Sequence, residues 1–266
     1  MEIKLWREIL NPYTLAVNEI IVKFNHVIKE YKDRGEYSPI EQVTGRVKKI
    51  SSILEKAKKK NVDLDDIEDK IEDIAGIRII CQFVEDIDKV VELIKGRSDM
   101  EIKSCKDYVK NKKPSGYRSF HIIVYYNVET ITGTKRIKVE IQIRTMSMNF
   151  WATIEHSLQY KYKGNIPPHI SERLKSASDA IIQLDAEMSA IRDDIMDAQI
   201  SNNIMGSLIA DILTNIQQLY NLANKREVMK IQDEFYKIYE TGDIEKLEKF
   251  HKELDIIAES YRAQKL

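Results

Sequence analysis

Apolar residues in the first part of the chain recur with the spacing of helices. At 11–31 they fall three or four positions apart, which predicts an amphipathic helix. Glycine and proline interrupt the pattern at 35–39. A second helix is predicted at 38–60 and a short one at 65–74. One polar face of the second helix has a 3-4-3 spacing and consists of Lys49, Ser52, Lys56 and Lys59.

Further along, apolar and polar residues alternate as they do in strands. The segments 77–83, 118–126 and 137–144 show this alternation. In the last and most regular segment, the polar face consists of Lys138, Glu140, Gln142 and Arg144. Helices are predicted at 87–94 and from residue 146 to about 162, where Gly164 and Pro167-Pro168 end the pattern.

From residue 170 onward the pattern is helical throughout. The predicted helices lie at about 170–199, 204–224, 226–239 and 244–263. A mixed sheet with helices on both sides is therefore the predicted α+β architecture. We divide the chain into a domain at 1–200 and a helical C-terminal extension at 201–266, whose role the sequence does not indicate.

Composition narrows the class of protein. Hydrophobic residues make up 43% of the 266 positions and charged residues 32%, which is typical of a packed globular chain. There is no apolar run near the roughly 20 residues of a membrane helix, and the N-terminus lacks the apolar core of a signal peptide. We expect a soluble cytoplasmic protein. Cys81 and Cys105 have no metal-site spacing, and each is expected to be a buried small side chain.

Charge is unevenly distributed although the net charge is only -1, which argues against a general nucleic-acid binder. Residues 41–60 hold seven bases and two acids, and residues 103–118 hold six bases and one acid. Residues 63–73, between them, are strongly acidic. Two separate basic blocks suit two polyphosphates or one extended anion. The alternative is that both are solvated surface.

Two carboxylates are candidates for chemistry. Glu140 is the only acid on its strand face, so it is either a metal ligand or general base among cations, or a salt-bridge partner. Asp73 precedes a glycine turn into the strand that carries Arg78. Asp73 and Glu140 could together hold one Mg²⁺ bridged to phosphates, because such sites often use only one or two protein carboxylates. Otherwise Asp73 simply caps a turn.

Aromatic and polar residues next to the second basic block suggest a nucleotide-binding surface. Tyr117 and His121 alternate along one strand face, downstream of Lys112. A base stacked on Tyr117 could extend its phosphates toward Lys112 and His121. A lone tyrosine in a strand can equally be partly buried structure. In the following helix, Asn149 could recognise the edge of a base, or it could belong to an ordinary polar face.

Four ordered blocks, taken together, resemble the (p)ppGpp synthetase domain of the RelA/SpoT family, in its stand-alone small-synthetase, RelQ-like branch. The blocks are TGRVK at 44–48, DIAGIR at 73–78, GYRSFH at 116–121, and EIQIRT at 140–145 continuing to NFWATIEH at 149–156. The resemblance implies a nucleotidyltransferase-like sheet flanked by helices. It implies transfer of pyrophosphate from ATP to the 3′-hydroxyl of GDP, GTP or GMP, with AMP leaving. No His-Asp dyad occurs, so synthesis without hydrolysis is expected.

The resemblance also implies roles for individual residues. Asp73 and Glu140 would bind Mg²⁺, and Glu140 would also take the proton of the 3′-hydroxyl. The expected ATP-binding residues are Arg46, Lys48, Ser52, Lys56, Lys59 and Arg78, with the two arginines on either side of adenine. The expected guanine-nucleotide-binding residues are Lys112, Tyr117, His121 and Asn149, with Tyr117 stacked on guanine.

Relatives in this branch assemble as homotetramers, and (p)ppGpp and RNA are their candidate allosteric ligands. The segment 38–42 would lie at the central cleft, but Gln42 stands where relatives often have an aromatic residue, which leaves product activation open. The competing hypothesis is a degenerate synthetase that only binds guanine nucleotides or RNA. The intact Asp73 and Glu140 argue against it.

Overall fold

The structure, a computed structural model, describes residues 6–161 and 167–263. It divides into two compact units, Met1–Ser189 and Ala190–Leu266, and each is described by itself. The helices are α1 (Trp6–Asp33), α2 (Ile50–Lys60), α3 (Ile67–Lys70), α4 (Val84–Lys95), α5 (Met146–Lys161), α6 (Pro168–Leu222), α7 (Lys225–Thr241) and α8 (Ile244–Ala263). The strands are β1 (Gln42–Val47), β2 (Ala75–Cys81), β3 (Glu101–Asp107), β4 (Phe120–Thr130) and β5 (Gly133–Thr145).

A mixed five-stranded sheet forms the centre of the first unit, as the α+β prediction required. Its strand order is β1-β2-β5-β4-β3, and only the β2–β5 pair is parallel. The alternating apolar residues of the central strands, such as Ile77, Ile141 and Ile122, are fully buried in one core cluster. Because neighbouring side chains on a strand point to opposite faces, the polar residues of β5 lie on the other face of the sheet.

The helix predicted at 38–60 is wrong in its first half, where the structure has β1. This strand pairs antiparallel with β2, from Gln42 opposite Ile80 to Val47 opposite Ala75. Gly45 permits close packing there, since a Cβ on it would lie 2.7 Å from Val17 Cγ1. Tertiary pairing with β2 therefore decides the conformation, and the helix begins only at Ile50.

Three further predictions are corrected. A strand at Glu101–Asp107, which the sequence did not predict, forms one edge of the sheet, and Cys105 on it is exposed. The two helices predicted at 170–199 and 204–224 are one element, α6. On α5 the apolar pattern predicts that Phe150 and Trp151 face the core, but only Trp151 does: it is 5% exposed, whereas Phe150 is 66% exposed. Tyr162 and Gly164, placed by prediction at the end of α5, lie outside the described residues.

The second unit consists of helices only. Its apolar core includes Ile212, Leu219, Phe235 and Leu254, all nearly or fully buried. The Asn224 side chain caps α7 by accepting a hydrogen bond from the Arg226 amide. Within 6–161 and 167–263, the structure has no helix that is both long enough and apolar enough to cross a membrane.

Candidate active site

Two cavities lie side by side on the polar face of the sheet, and Asp73 and Glu140 line both of them. The first, of about 220 Å³, also contains the side chains of Arg46 and Arg78. The second, of about 210 Å³, is lined by the cations Lys56, Lys60, Lys106 and Lys113 and by Ser104, Tyr108 and His121, among others. The two carboxylates singled out in the sequence therefore converge on one place.

Sheet register explains this convergence. Glu140 on β5 is opposite Gly76 of the parallel strand β2, and Asp73 lies three residues before Gly76 in the chain. The backbone amide of Lys48 donates a hydrogen bond to the carbonyl of Ile74 at 2.8 Å, which fixes the end of β1 beside the segment that leads into β2. Residues 44–48 and 73–78 are thus held together by backbone pairing.

Asp73 is held by two lysines through one of its oxygens. Lys48 Nζ lies 2.6 Å and Lys56 Nζ 2.7 Å from Asp73 Oδ2. Burial alone would raise the pKa of Asp73, but the hydrogen bonds and charges of the two lysines outweigh it, so the pKa lies below its usual range. The other oxygen, Oδ1, is buried and has no hydrogen-bond partner in the structure.

Glu140 accepts hydrogen bonds from a histidine and a glutamine. His121 Nδ1 lies 3.0 Å from Glu140 Oε1, and Gln142 Nε2 donates to Oε2 at 2.8 Å. Burial again raises the pKa, but the hydrogen bonds from His121 and Gln142 more than offset this and keep the pKa below its ordinary value. Glu140 is therefore ionised at neutral pH.

The donor set fits a magnesium ion that is completed by substrate oxygens. Mg²⁺ prefers oxygen ligands and often takes only one or two protein carboxylates plus phosphate oxygens and waters. The buried, unpartnered Asp73 Oδ1 is a ligand atom of this kind. Among the described residues, no group of three or more His, Cys, Asp or Glu side chains could hold a metal ion.

Two arginines border the first cavity from neighbouring strands. Arg78 on β2 is opposite Thr44 of β1, and Arg46 is opposite Gly76. The pKa of Arg78 is lowered, first by burial and then by the nearby charge of Arg46. Arg78 Nε is buried without a hydrogen-bond partner in the structure. Two guanidinium groups at one cavity can stack on a planar base or bind an anion.

A hydrogen-bonded chain connects Tyr117 with Glu140. The Tyr117 hydroxyl lies 2.8 Å from His121 Nε2 and accepts a hydrogen bond from Arg144 at 2.9 Å. Because a carboxylate only accepts, His121 Nδ1 carries the proton that faces Glu140. Lys113 Nζ lies 4.8 Å from the centroid of the Tyr117 ring. Burial raises the pKa of Tyr117, so its hydroxyl stays protonated and can donate to His121.

Six predicted site residues line neither cavity. Two of them, Lys48 and Tyr117, contact the lining residues Asp73 and His121. The other four are Lys112, Lys59, Ser52 and Asn149. Lys112 is paired with Asp179, and Lys59 is exposed on α2. Ser52 is half-buried on the same helix. Asn149 is half-buried on α5, with an Oδ1 atom that is buried and unpartnered in the structure. Nucleotide contacts from these four residues stay predictions.

Sequence reasoning missed several residues of the second cavity. Lys60 lines it, four residues after Lys56 and hence on the same side of α2. Lys106, Tyr108 and Lys113 line it as well. The signal for Lys60 was the first basic block, and the signal for Lys106 and Lys113 was the second. A residue-by-residue choice within the second block needed the position of β3, which the sequence pattern did not predict.

The sheet presents two carboxylates among cationic side chains at two adjacent cavities, an arrangement that can bind anionic groups together with a cation. Comparison with known proteins identifies the family to which the chain belongs. Residues 45–165 match the family model described as the region found in RelA/SpoT proteins.

The chain is 51% identical over 199 residues to the GTP pyrophosphokinase YjbM of Bacillus subtilis, covering 75% of this chain and 94% of the relative. The small alarmone synthetase 1 of Bacillus subtilis bound to its product pppGpp superposes with a TM-score of 0.70 at 51% identity, covering 71% of this chain and 97% of that one. The same enzyme bound to AMPCPP gives 0.63 at 47% identity, covering 72% and 98%. The chain belongs to the RelA/SpoT family.

Proposed function

We propose that this protein transfers the pyrophosphate group of ATP to the 3′-hydroxyl of GDP or GTP, with GMP as the smallest candidate acceptor, and releases AMP. The chain is a GTP pyrophosphokinase, and its product is a (p)ppGpp alarmone. It makes the alarmone and does not hydrolyse it. The observation that carries the proposal is the shared position of Asp73 and Glu140, which border two cavities rich in cationic groups.

ATP is assigned to the first cavity and the adjoining face of α2. Adenine stacks between the guanidinium groups of Arg46 and Arg78, both of which line that cavity. Its phosphates are bound by Lys48, Ser52, Lys56 and Lys59. Lys48 and Lys56 already bind a carboxylate, Asp73, so anionic phosphates would compete for the same ammonium groups.

The guanine nucleotide is assigned to the side of Tyr117. Guanine stacks on the Tyr117 ring, one face of which already has Lys113 nearby. Asn149 helps to recognise the acceptor, and Lys112 and His121 contact its phosphates. Lys112 would exchange Asp179 for phosphate, an exposed pairing whose loss costs little.

In the reaction a bond forms between the acceptor 3′-oxygen and the β-phosphorus of ATP, and the bond from the β-phosphorus to the oxygen bridging the α-phosphorus breaks. AMP leaves with that oxygen. Glu140 takes the 3′-hydroxyl proton, for which its ionised state suits it. His121 and Gln142 hold the carboxylate in place. When bound by Asp73 and Glu140, Mg²⁺ supplies charge neutralisation to the phosphates.

The assembly and location of the protein are part of the same proposal. We expect a homotetramer in the cytoplasm, where its nucleotide substrates occur, with (p)ppGpp or RNA as candidate allosteric ligands. Exposed apolar side chains on the first unit, including Met146, Phe150 and Leu184, line a cavity of about 560 Å³ that association would cover.

Product analysis tests the function. Purified protein is incubated with ATP, Mg²⁺ and GDP, GTP or GMP in separate reactions, and nucleotides are separated by anion-exchange chromatography. We expect AMP and a 3′-pyrophosphorylated nucleotide in equal amounts. Release of no AMP with any acceptor, together with tight salt-sensitive RNA binding, would instead favour the degenerate binding module.

A further inference from the structure

One face of α6 in the first unit is attached to the sheet domain through polar contacts. The Trp151 indole Nε1 donates to the carbonyl of Leu174 at 2.9 Å, and the Ser178 hydroxyl donates to the carbonyl of Gly116 at 2.6 Å. Leu174, Ser178 and Asp185 are four and seven residues apart, so they lie on the same side of the helix. Ser178 and Asp185 are 3% and 7% exposed.

Asp185 is a buried carboxylate that the proposed chemistry does not use. Its Oδ2 accepts a hydrogen bond from the Thr145 hydroxyl at 3.2 Å, and its Oδ1 accepts one from the Ser147 hydroxyl. Arg118 Nη1, which is buried and has no hydrogen-bond partner in the structure, lies 3.6 Å from Oδ2. Burial of a charge is unfavourable unless partners compensate for it, so a carboxylate buried at this position is expected to have a specific role.

The partners of Asp185 and Ser178 adjoin the residues assigned to the acceptor. Gly116 and Arg118 flank Tyr117 in the chain. Thr145 and Ser147 lie where β5 ends and α5 begins, one turn before Asn149. Position 116 requires a glycine, because its φ is +93° and a Cβ there would lie 2.7 Å from Ser178 Cβ.

We propose that Asp185 is a positioning residue for the guanine nucleotide. Its contacts fix the distance between the segment that leads into β4, which carries Tyr117, and the start of α5, which carries Asn149. A bound guanine would then find both side chains already in position. This inference rests on the proposed function. A displacement of about 1 Å of such a group can lower the rate of a reaction about 100-fold, because binding and orientation are lost together.

The test compares Asp185→Ala and Asp185→Asn with a control, Asp194→Asn, which changes an exposed aspartate on the same helix. KM is measured separately for GDP and ATP, and the Kd of GDP is measured by isothermal titration calorimetry. We expect Asp185→Ala to raise the KM and Kd of GDP about 10-fold or more, with the KM of ATP within about 2-fold. Asp185→Asn should fall between, since its amide oxygen still accepts from a hydroxyl but no longer balances Arg118.

A purely structural role would lower the melting temperature and leave the two KM values unchanged or raise them equally, and either result overturns the proposal. If Asp185→Ala does not fold, Ser178→Ala removes the neighbouring attachment to Gly116 and should still weaken GDP binding selectively. Unchanged GDP binding in both Ser178→Ala and Asp185→Asn would also overturn it. Failure of the function itself is distinguishable, because wild-type protein would then release no AMP while GDP binding is still measured.

Discussion

Replacement of Glu140 by Gln should abolish most turnover and leave the fold nearly unchanged. The carboxylate is ionised at neutral pH because its pKa lies below the ordinary value, so the whole protein population loses its base. Positioned general bases contribute about 10²- to 10⁴-fold, which corresponds to about 2.7–5.5 kcal/mol of transition-state stabilisation. We expect kcat to fall by at least that lower factor.

The stability change in Glu140→Gln should be much smaller. Glutamine has nearly the same shape, and its oxygen can still accept a hydrogen bond from His121. Its amide nitrogen cannot accept the bond from Gln142, so the loss is about 1–2 kcal/mol. AMP release is measured alongside thermal melting, and Glu101→Gln, at an edge of the same sheet and 66% exposed in its side chain, is the matched control. A kcat within about 3-fold of wild type would refute the role of Glu140.

Three further predictions concern nucleotide selectivity, pH and the extension. Arg46→Ala and Arg78→Ala should each raise the KM of ATP about 10-fold or more and change the KM of GDP little, because stacking on adenine is lost; steady-state kinetics with each substrate varied checks this. Folding lowers the pKa values of Asp73 and Glu140. Their ionised carboxylates therefore stabilise the folded state above the unfolded pKa values of about 4, and this stabilisation is lost as the pH falls below those values. Urea midpoints from pH 7 to pH 3 should therefore drop less steeply in Asp73→Asn than in wild type, and parallel curves would contradict this. A chain that lacks residues 205–266 should keep its AMP-forming activity, since all the proposed site residues lie in the first unit, and an inactive but folded truncation would contradict it.

Much of the site could be predicted because its chemistry lies in short local blocks. The alternation of β5 indicated that Glu140 and Gln142 share a face, and the glycine turn after Asp73 indicated the entry to β2. Both indications are independent of the rest of the fold. The residues suggested that Asp73 and Glu140 share a metal ion, and the family resemblance implied it as well. The strand patterns alone could not establish this convergence, because it depends on the parallel pairing of β2 with β5.

The sequence pattern was misleading where tertiary pairing overrides local preference. Val43 and Val47 are spaced like one side of a helix, yet they belong to β1, which is fixed by its partner β2. The edge strand β3 has mostly polar residues and an irregular register between Ile102 and Ser104, so it carries little strand signal. The choice of Lys59 over Lys60 followed from the 3-4-3 spacing. Helical spacing could not decide between them, because residues three and four positions after Lys56 both lie beside it on the helix surface.

The central claim is that Asp73 and Glu140 bind one magnesium ion between two nucleotides. A crystal structure of the protein with Mg²⁺, a non-hydrolysable ATP analogue and GDP tests it most directly. We expect one ion about 2.0–2.1 Å from Asp73 Oδ1 and from a Glu140 oxygen, with phosphate oxygens completing an octahedron. An ion that contacts only phosphates, or nucleotides bound away from the two shared cavities, would contradict the account.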